Sequence, residues 1–288
     1  MSTLVTRYRT EKVDTQEIFY REAGDASRPT VVLLHGFPSS SFMFRNLITE
    51  LAGDYHVIAP DHLGFGHSST PSVDSFTYTF DALTDITLGL LDQLGLDRFA
   101  LYVQDYGAPI GFRIASRNPA RITALITQNG NAYVEGFTPF WEGLFAFASD
   151  GVTNAAEVRA SLESGQQWVY SHGVPAARLD RLSPDTWTLD QALLDRPGNK
   201  DIQLALFRDY RSNIDEYPRF QQYFRDHQPP TLVVWGEHDE IFGPDGARAF
   251  AGDLPNAEIH LLDAGHYALE TSGEEIATLV LDFLGRLG

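Results

Sequence analysis

The sequence predicts an α/β fold: a doubly wound, mostly parallel sheet covered by helices, with a helical segment inserted late in the chain. Three observations predict it. Short continuous apolar runs recur and end abruptly in turn residues, as strands buried on both faces of a parallel sheet do. Segments with helical periodicity lie between them, and strand–helix alternation marks α/β layers. The alternation then stops at about residue 132 and resumes at Thr231, leaving an aromatic-rich interval with no buried strand.

Taken in order, residues 3–20 alternate in the manner of antiparallel edge strands. Residues 30–34 (TVVLL) form the first buried strand and run into His35-Gly36. A helix follows over 42–51, with N-caps available at 39–41. Residues 56–59 (HVIA) end in Pro60-Asp61. Leu83, Ile86, Leu90, Leu91 and Leu94 repeat at close to 3.6 residues, which predicts a helix over 80–94. Residues 99–103 (FALYV) run into Gln104-Asp105, and a helix over 108–117 comes next. Residues 122–127 (ITALIT) end in Gln128-Asn129. Strands return at 232–235 (LVVW) and 259–262 (IHLL), and a last helix is expected over 276–287, capped at Thr271-Ser272. The expected organisation is a core over 1–131, a helical insertion over 132–226 that holds three of the four Trp, and a second core portion over 227–288.

Composition narrows the chemistry. The 288 residues carry 21 Lys+Arg against 39 Asp+Glu, a net charge of −18. An acidic chain is a poor partner for nucleic acid or an anionic membrane, because both need a basic face. The absence of cysteine excludes disulfides, thiolate nucleophiles and Cys-ligated metals. The nine His are scattered with no H-E-x-x-H, so neither a metal nor another cofactor is expected. HGFPSSS stands where a dinucleotide-binding G-x-G-x-x-G would follow the first buried strand. The N-terminus is polar, without a continuous apolar stretch of signal-peptide length. A soluble cytoplasmic protein, monomer or homodimer, is the expectation.

Open parallel sheets bind ligands beyond the carboxyl ends of their strands. The polar residues there are His35, Asp61, Asp105, Asn129, Asp239 and His266. Asp61 opens the turn-rich DHLGFGHS and reads as structural. His35 and Asn129 read as partners for loop backbone. Asp105 alone reads as a helix cap. The G-x-S-x-G of a serine nucleophile occurs nowhere. Asp239, just past one strand, and His266, past the last, change the picture. A nucleophile, an acid and a histidine, each following its own strand, keep the chain order of a known hydrolytic triad.

With HGFP (35–38), PDHLGFGHS (60–68), VQDYG (103–107), GEHD (236–239) and GHYALE (265–270), the sequence resembles the α/β-hydrolase superfamily over nearly its full length. Asp at the nucleophile position makes it similar to the branch of epoxide hydrolases, haloalkane dehalogenases and fluoroacetate dehalogenases. The resemblance implies an eight-stranded sheet, with the insertion after the sixth strand forming a cap. It implies Asp105 as nucleophile, Asp239 as acid ahead of Glu237 and Glu240, His266 as base, and the Phe37 and Tyr106 N–H groups as oxyanion hole.

It also implies attack on an sp³ carbon, an alkyl ester on Asp105, and hydrolysis of that ester by water that His266 activates. Tyr106 stands where dehalogenases and most epoxide hydrolases carry Trp, which weakens the haloalkane reading. One dehalogenase branch places its acid after the preceding strand, which here ends in the neutral Gln128-Asn129, so Asp239 is preferred; VQD and the strand ending near Asn129 nevertheless resemble one dehalogenase branch. Leaving-group donors are expected among Tyr210 (within Asp209-Tyr210-Arg211), Tyr170, Trp141 and Trp168, with Tyr133 a further candidate. The expected activity is an epoxide hydrolase acting on a small neutral apolar substrate with water. A dehalogenase using the same triad, or a non-catalytic ligand-binding relative, are the alternatives.

Overall fold

A computed structural model describes residues 5–164 and 166–287. Eight strands form one sheet in the order β1-β2-β4-β3-β5-β6-β7-β8. β1 (Arg7–Val13) and β2 (Gln16–Ala23) form an antiparallel hairpin, and β2 pairs antiparallel with β4 (His56–Pro60). The remaining neighbours are parallel: β3 (Thr30–Leu34), β5 (Phe99–Gln104), β6 (Ile122–Gln128), β7 (Thr231–Gly236) and β8 (Glu258–Leu262). The all-apolar strands fall in the middle, where both faces are covered. The charged RYRTEK of β1 lies exposed at an edge, where charge discourages further strand addition.

Core helices are α1 (Arg45–Leu51), α2 (Phe80–Gln93) and α3 (Gly107–Arg117). The expected helix over 42–51 divides into a 3₁₀ turn, Ser41–Phe44, and α1. Ser40 Oγ caps the turn by accepting Phe42 N at 3.3 Å. Between β6 and β7 the described chain contains no strand and forms α4 (Trp141–Asp150), α5 (Ala155–Ser164), α6 (Gln166–Ser171), α7 (Pro184–Leu194), α8 (Asn199–Asp209) and α9 (Arg211–His227). After β7 come α10 (Pro244–Asp253) and α11 (Ala268–Gly285). α11 starts eight residues before the expected helix, counting 276 − 268. Ser272, with φ −131°, is the non-helical break between that first stretch and the expected helix, so it stands where the cap was expected, but its Oγ accepts from the Arg178 guanidinium at 2.6 Å. Buried Ala268 and Leu269 carry the first turn back towards His266.

Buried polar links tie the inserted helices to the core. The Arg113 guanidinium of α3 donates to Asp81 Oδ1 at the start of α2 (2.8 Å) and to Asn213 Oδ1 in α9 (2.7 Å). Asp209, ending α8, accepts Phe80 N at 2.7 Å and so caps α2 from the insertion. A carboxylate at a helix N-terminus meets unsatisfied N–H groups and the positive end of the dipole. These links place Tyr210, the next residue, over the carboxyl end of β5. Among the described residues no helix is long and apolar enough to cross a membrane.

Candidate active site

The turn after β5 sets the site. Asp105 has φ 46°, a left-handed conformation that a non-glycine residue adopts only when its surroundings enforce it. α3 begins against β3 so closely that a Cβ on Gly107 would lie 2.1 Å from the Leu34 carbonyl oxygen. The tight turn thrusts the Asp105 side chain out of the backbone, so it does not cap α3. Asp105 Oδ1 accepts Phe37 N at 2.6 Å, and the Tyr106 N–H also acts on the carboxylate. Burial raises the Asp105 pKa, against the opposing pull of His266 and these two N–H groups.

His266 lies between the two acids. Its Nδ1 is 2.8 Å from Asp239 Oδ2, and its Nε2 is 3.7 Å from Asp105 Oδ2. The first is a hydrogen bond. The second is too long for one. Burial pulls the His266 pKa down, but the Asp239 and Asp105 charges outweigh it and the net shift is upward. Asp239 is fixed by three further donors: Asn129 Nδ2 on Oδ2 (2.7 Å), and Ile241 N (2.8 Å) and Phe242 N (3.1 Å) on Oδ1. Glu237 and Glu240 do not contact His266; Glu240 pairs instead with His172.

The loop carrying Phe37 is held by two buried histidines. His35 accepts His62 N at Nε2 (3.0 Å), so its proton is on Nδ1 and donates to the Gly36 carbonyl (2.9 Å). His62 Nε2 donates to the His35 carbonyl at 2.9 Å. Burial pushes His35 down to about 4 and His62 well down as well, so both stay neutral. Asp61 accepts Ser41 N and His67 N, both at 2.7 Å, a structural role.

A cavity of about 610 Å³ opens over Asp105 and His266. Phe37, Tyr106, Trp141, Val158, Phe207 and Ile241 line it, an apolar wall with few polar groups, as small-molecule sites have. Phe140 and Trp168 stand at its outer end, stacked at 5.8 Å and about 40% exposed.

The expected leaving-group donors separate here. The Trp141 indole N–H donates to the Ile241 carbonyl at 2.8 Å, so it lines the cavity but its donor is occupied. Tyr170 does not meet the expectation either. Its hydroxyl donates to Asp190 Oδ2 at 2.6 Å, and its ring stacks on Tyr267 at 4.0 Å, outside the cavity lining. Trp168 sits at the mouth, and the Tyr133 hydroxyl donates to Asp253 at 2.9 Å. Tyr210 packs between Trp141 (4.3 Å) and Tyr106 (5.9 Å), behind the cavity lining, and its hydroxyl is engaged by that of Tyr217. The Tyr106 hydroxyl is buried without any hydrogen-bond partner. Burial raises both phenols well above their ordinary value, so both stay protonated.

Residues 29–272 match the family model described as the alpha/beta hydrolase fold. The chain belongs to the α/β-hydrolase family. An uncharacterized hydrolase of Saccharomyces cerevisiae, YNR064C, is 44% identical, with 98% of each chain covered. A cis-3-alkyl-4-alkyloxetan-2-one decarboxylase of Shewanella oneidensis is 29% identical over 88% of this chain and 81% of its own. A haloalkane dehalogenase of Mesorhizobium japonicum is 30% identical over 92% of this chain and 87% of its own. This α/β-hydrolase therefore has dehalogenases among its relatives.

Sequence reasoning missed two amides around His266, Gln104 and Gln128, both fully buried. Asn129, read as a partner for loop backbone, accepts Gly236 N at 3.2 Å and also donates to Asp239. Gln128 Nε2 donates to the His266 carbonyl (3.0 Å), and Gln104 Nε2 lies 3.1 Å from His266 Nε2. The available signal was the pair of amide-bearing strand ends, Gln104-Asp105 and Gln128-Asn129, on adjacent strands.

Proposed function

We propose that this α/β-hydrolase opens an epoxide to a diol through an alkyl ester on Asp105. The observation that carries this is the chemistry of the donors beside the nucleophile. The neighbouring phenol of Tyr106 is a protonated donor without a partner, whereas the indole N–H of Trp141 on the cavity wall is already bonded to a backbone carbonyl at 2.8 Å. A halide needs an N–H donor beside the nucleophile, and that indole does not offer one. A strained ring oxygen leaves as an alkoxide and needs a proton, which a phenol supplies. The Shewanella relative's named substrate is also a strained oxygen ring.

Asp105 Oδ1 already accepts the Phe37 N–H and the Tyr106 N–H also acts on the carboxylate, so Oδ2 is the oxygen left to attack. The Oδ2–carbon bond forms, the ring C–O bond breaks, and the alkoxide takes a phenolic proton. Water then attacks Cγ of the ester and gives a proton to His266 Nε2. The new negative charge falls on Oδ1, where its donors are in place before it develops, and each donor contributes about 3–4 kcal/mol. Asp239 holds the imidazolium. The tetrahedral intermediate collapses by breaking the bond from Cγ to the alkyl oxygen, and that oxygen takes the His266 proton. The proton left on the Asp105 carboxyl passes to the phenolate, which restores the phenol and the carboxylate.

Incubation with a small apolar epoxide and, separately, with a haloalkane tests the reading. Diol with no halide is expected. Halide release without diol overturns it in favour of dehalogenation, the reading that the Mesorhizobium relative supports.

A further inference from the structure

Gln104 ends β5 and its side chain has no exposed surface. Its Nε2 lies 3.1 Å from Nε2 of His266. Its Oε1 is buried with no partner. Gly36 makes room for this amide: a Cβ there would stand 2.3 Å from Oε1.

The partners assign the protons. Asp239 Oδ2 accepts from His266 Nδ1 at 2.8 Å, so the neutral ring carries its proton on Nδ1 and has a bare Nε2. Gln104 must then present an N–H to that nitrogen. The contact favours the neutral ring, because an imidazolium would set its Nε2–H against the amide N–H. Rotation of the amide reverses the preference. Oε1 has no hydrogen bond to give up, and once turned over it accepts from the Nε2–H.

We propose that Gln104 is a positioning residue for His266: its N–H holds the neutral base ready, and its rotated carbonyl receives the imidazolium once water has attacked the ester. The second half rests on the covalent reading above. Water displaces the amide N–H from Nε2, its proton moves to Nε2, and Gln104 itself gains and loses no proton. The charged groups acting on the ring are Asp239, after β7, and Asp105, after β5. The neighbouring Tyr267 phenol stays protonated because burial raises it well above its ordinary value. Gln104 is the neutral third partner, and it tells the two protonation states apart by dipole direction alone.

Two variants test this, with ¹⁵N NMR titration of the His266 ring in the ligand-free protein as the first readout. Gln104→Met removes the donor and the rotated acceptor together, so both states of the ring lose a partner. Gln104→Glu leaves only an acceptor of the same shape, and the midpoint is expected to rise. A Gln104→Glu midpoint at or below that of the wild type overturns the proposal. With an epoxide, Gln104→Met is expected to keep its rate of adduct formation and to lose about tenfold in ester hydrolysis. Equal slowing of both steps identifies a merely structural residue and also overturns the proposal. A midpoint that shifts in a protein forming no adduct with an epoxide or a haloalkane retains the neutral-state role and rejects the covalent reading.

Discussion

At the residue scale, the two halves of the proposed reaction draw on different atoms, and single substitutions separate them. Tyr106 serves twice: its N–H acts on the Asp105 carboxylate, and its hydroxyl is an unpartnered donor beside it. Tyr106→Phe removes only the hydroxyl. We expect adduct formation to slow by about 10²-fold while hydrolysis of the ester keeps its rate, as rapid-quench kinetics would resolve. Equal slowing of both steps would refute the division. His266 supplies the pH dependence. It must be neutral to accept a proton, and its pKa is raised in the folded protein. Ester hydrolysis should therefore rise with pH as His266 loses its proton, through a midpoint lower than that of the free protein because the ester removes the Asp105 charge. A rate that falls over that range would contradict a neutral base. His266→Gln should accumulate the Asp105 adduct, visible by intact mass.

At the element scale, the inserted helices are fastened to the core by buried polar groups as well as by apolar packing, and one of them is electrostatically costly. Asp190 of α7 is completely buried and accepts the Tyr170 hydroxyl, while its Oδ1 has no partner. Burial pushes its pKa up to about 7, reinforced by Glu270 and opposed by the Tyr170 hydrogen bond and Arg45. A carboxyl with a raised folded pKa stabilises the fold fully below its unfolded value of ~3.9 and loses that contribution as pH rises to about 7. Asp190→Asn keeps the shape without the charge. Its melting temperature should exceed that of the wild type by about 2–5 °C at pH 8, with the gap narrowing at pH 5. Thermal denaturation at both pH values decides it, and a gap independent of pH would exclude the electrostatic account. The break at Ser272 belongs to this scale too. A helix bent there serves both the His266 turn and the sheet, and a cap motif in sequence cannot be told from an interior break.

At the scale of the whole molecule, the charge of −18 repels itself within the compact state. Screening relieves that repulsion, so raising NaCl from about 10 mM to 300 mM should increase the melting temperature by a few degrees. A decrease would mean that the surface ion pairs outweigh the net charge. The same charge does not govern the site, whose wall is apolar and whose two acids share one histidine. An acidic molecule with an apolar cavity suits a neutral electrophile, in keeping with an epoxide.

The sequence by itself determined the layered α/β fold and its strand ends, because buried strands must be apolar and must stop where turn residues begin. It also determined which three side chains could meet, since the carboxyl ends of parallel strands share one edge and Asp105, Asp239 and His266 each follow a strand. Tertiary structure alone decided which donors are free. Trp141, Tyr170 and Tyr210 look alike in sequence, and only packing shows that they are engaged by Ile241, Asp190 and Tyr217 while the Tyr106 hydroxyl is left without a partner. The amides of Gln104, Gln128 and Asn129 were equally invisible as a cluster. Gln104 and Gln128 reach His266, and Asn129 reaches Asp239, through hydrogen bonds between residues far apart in the chain, and no local pattern encodes direction in space.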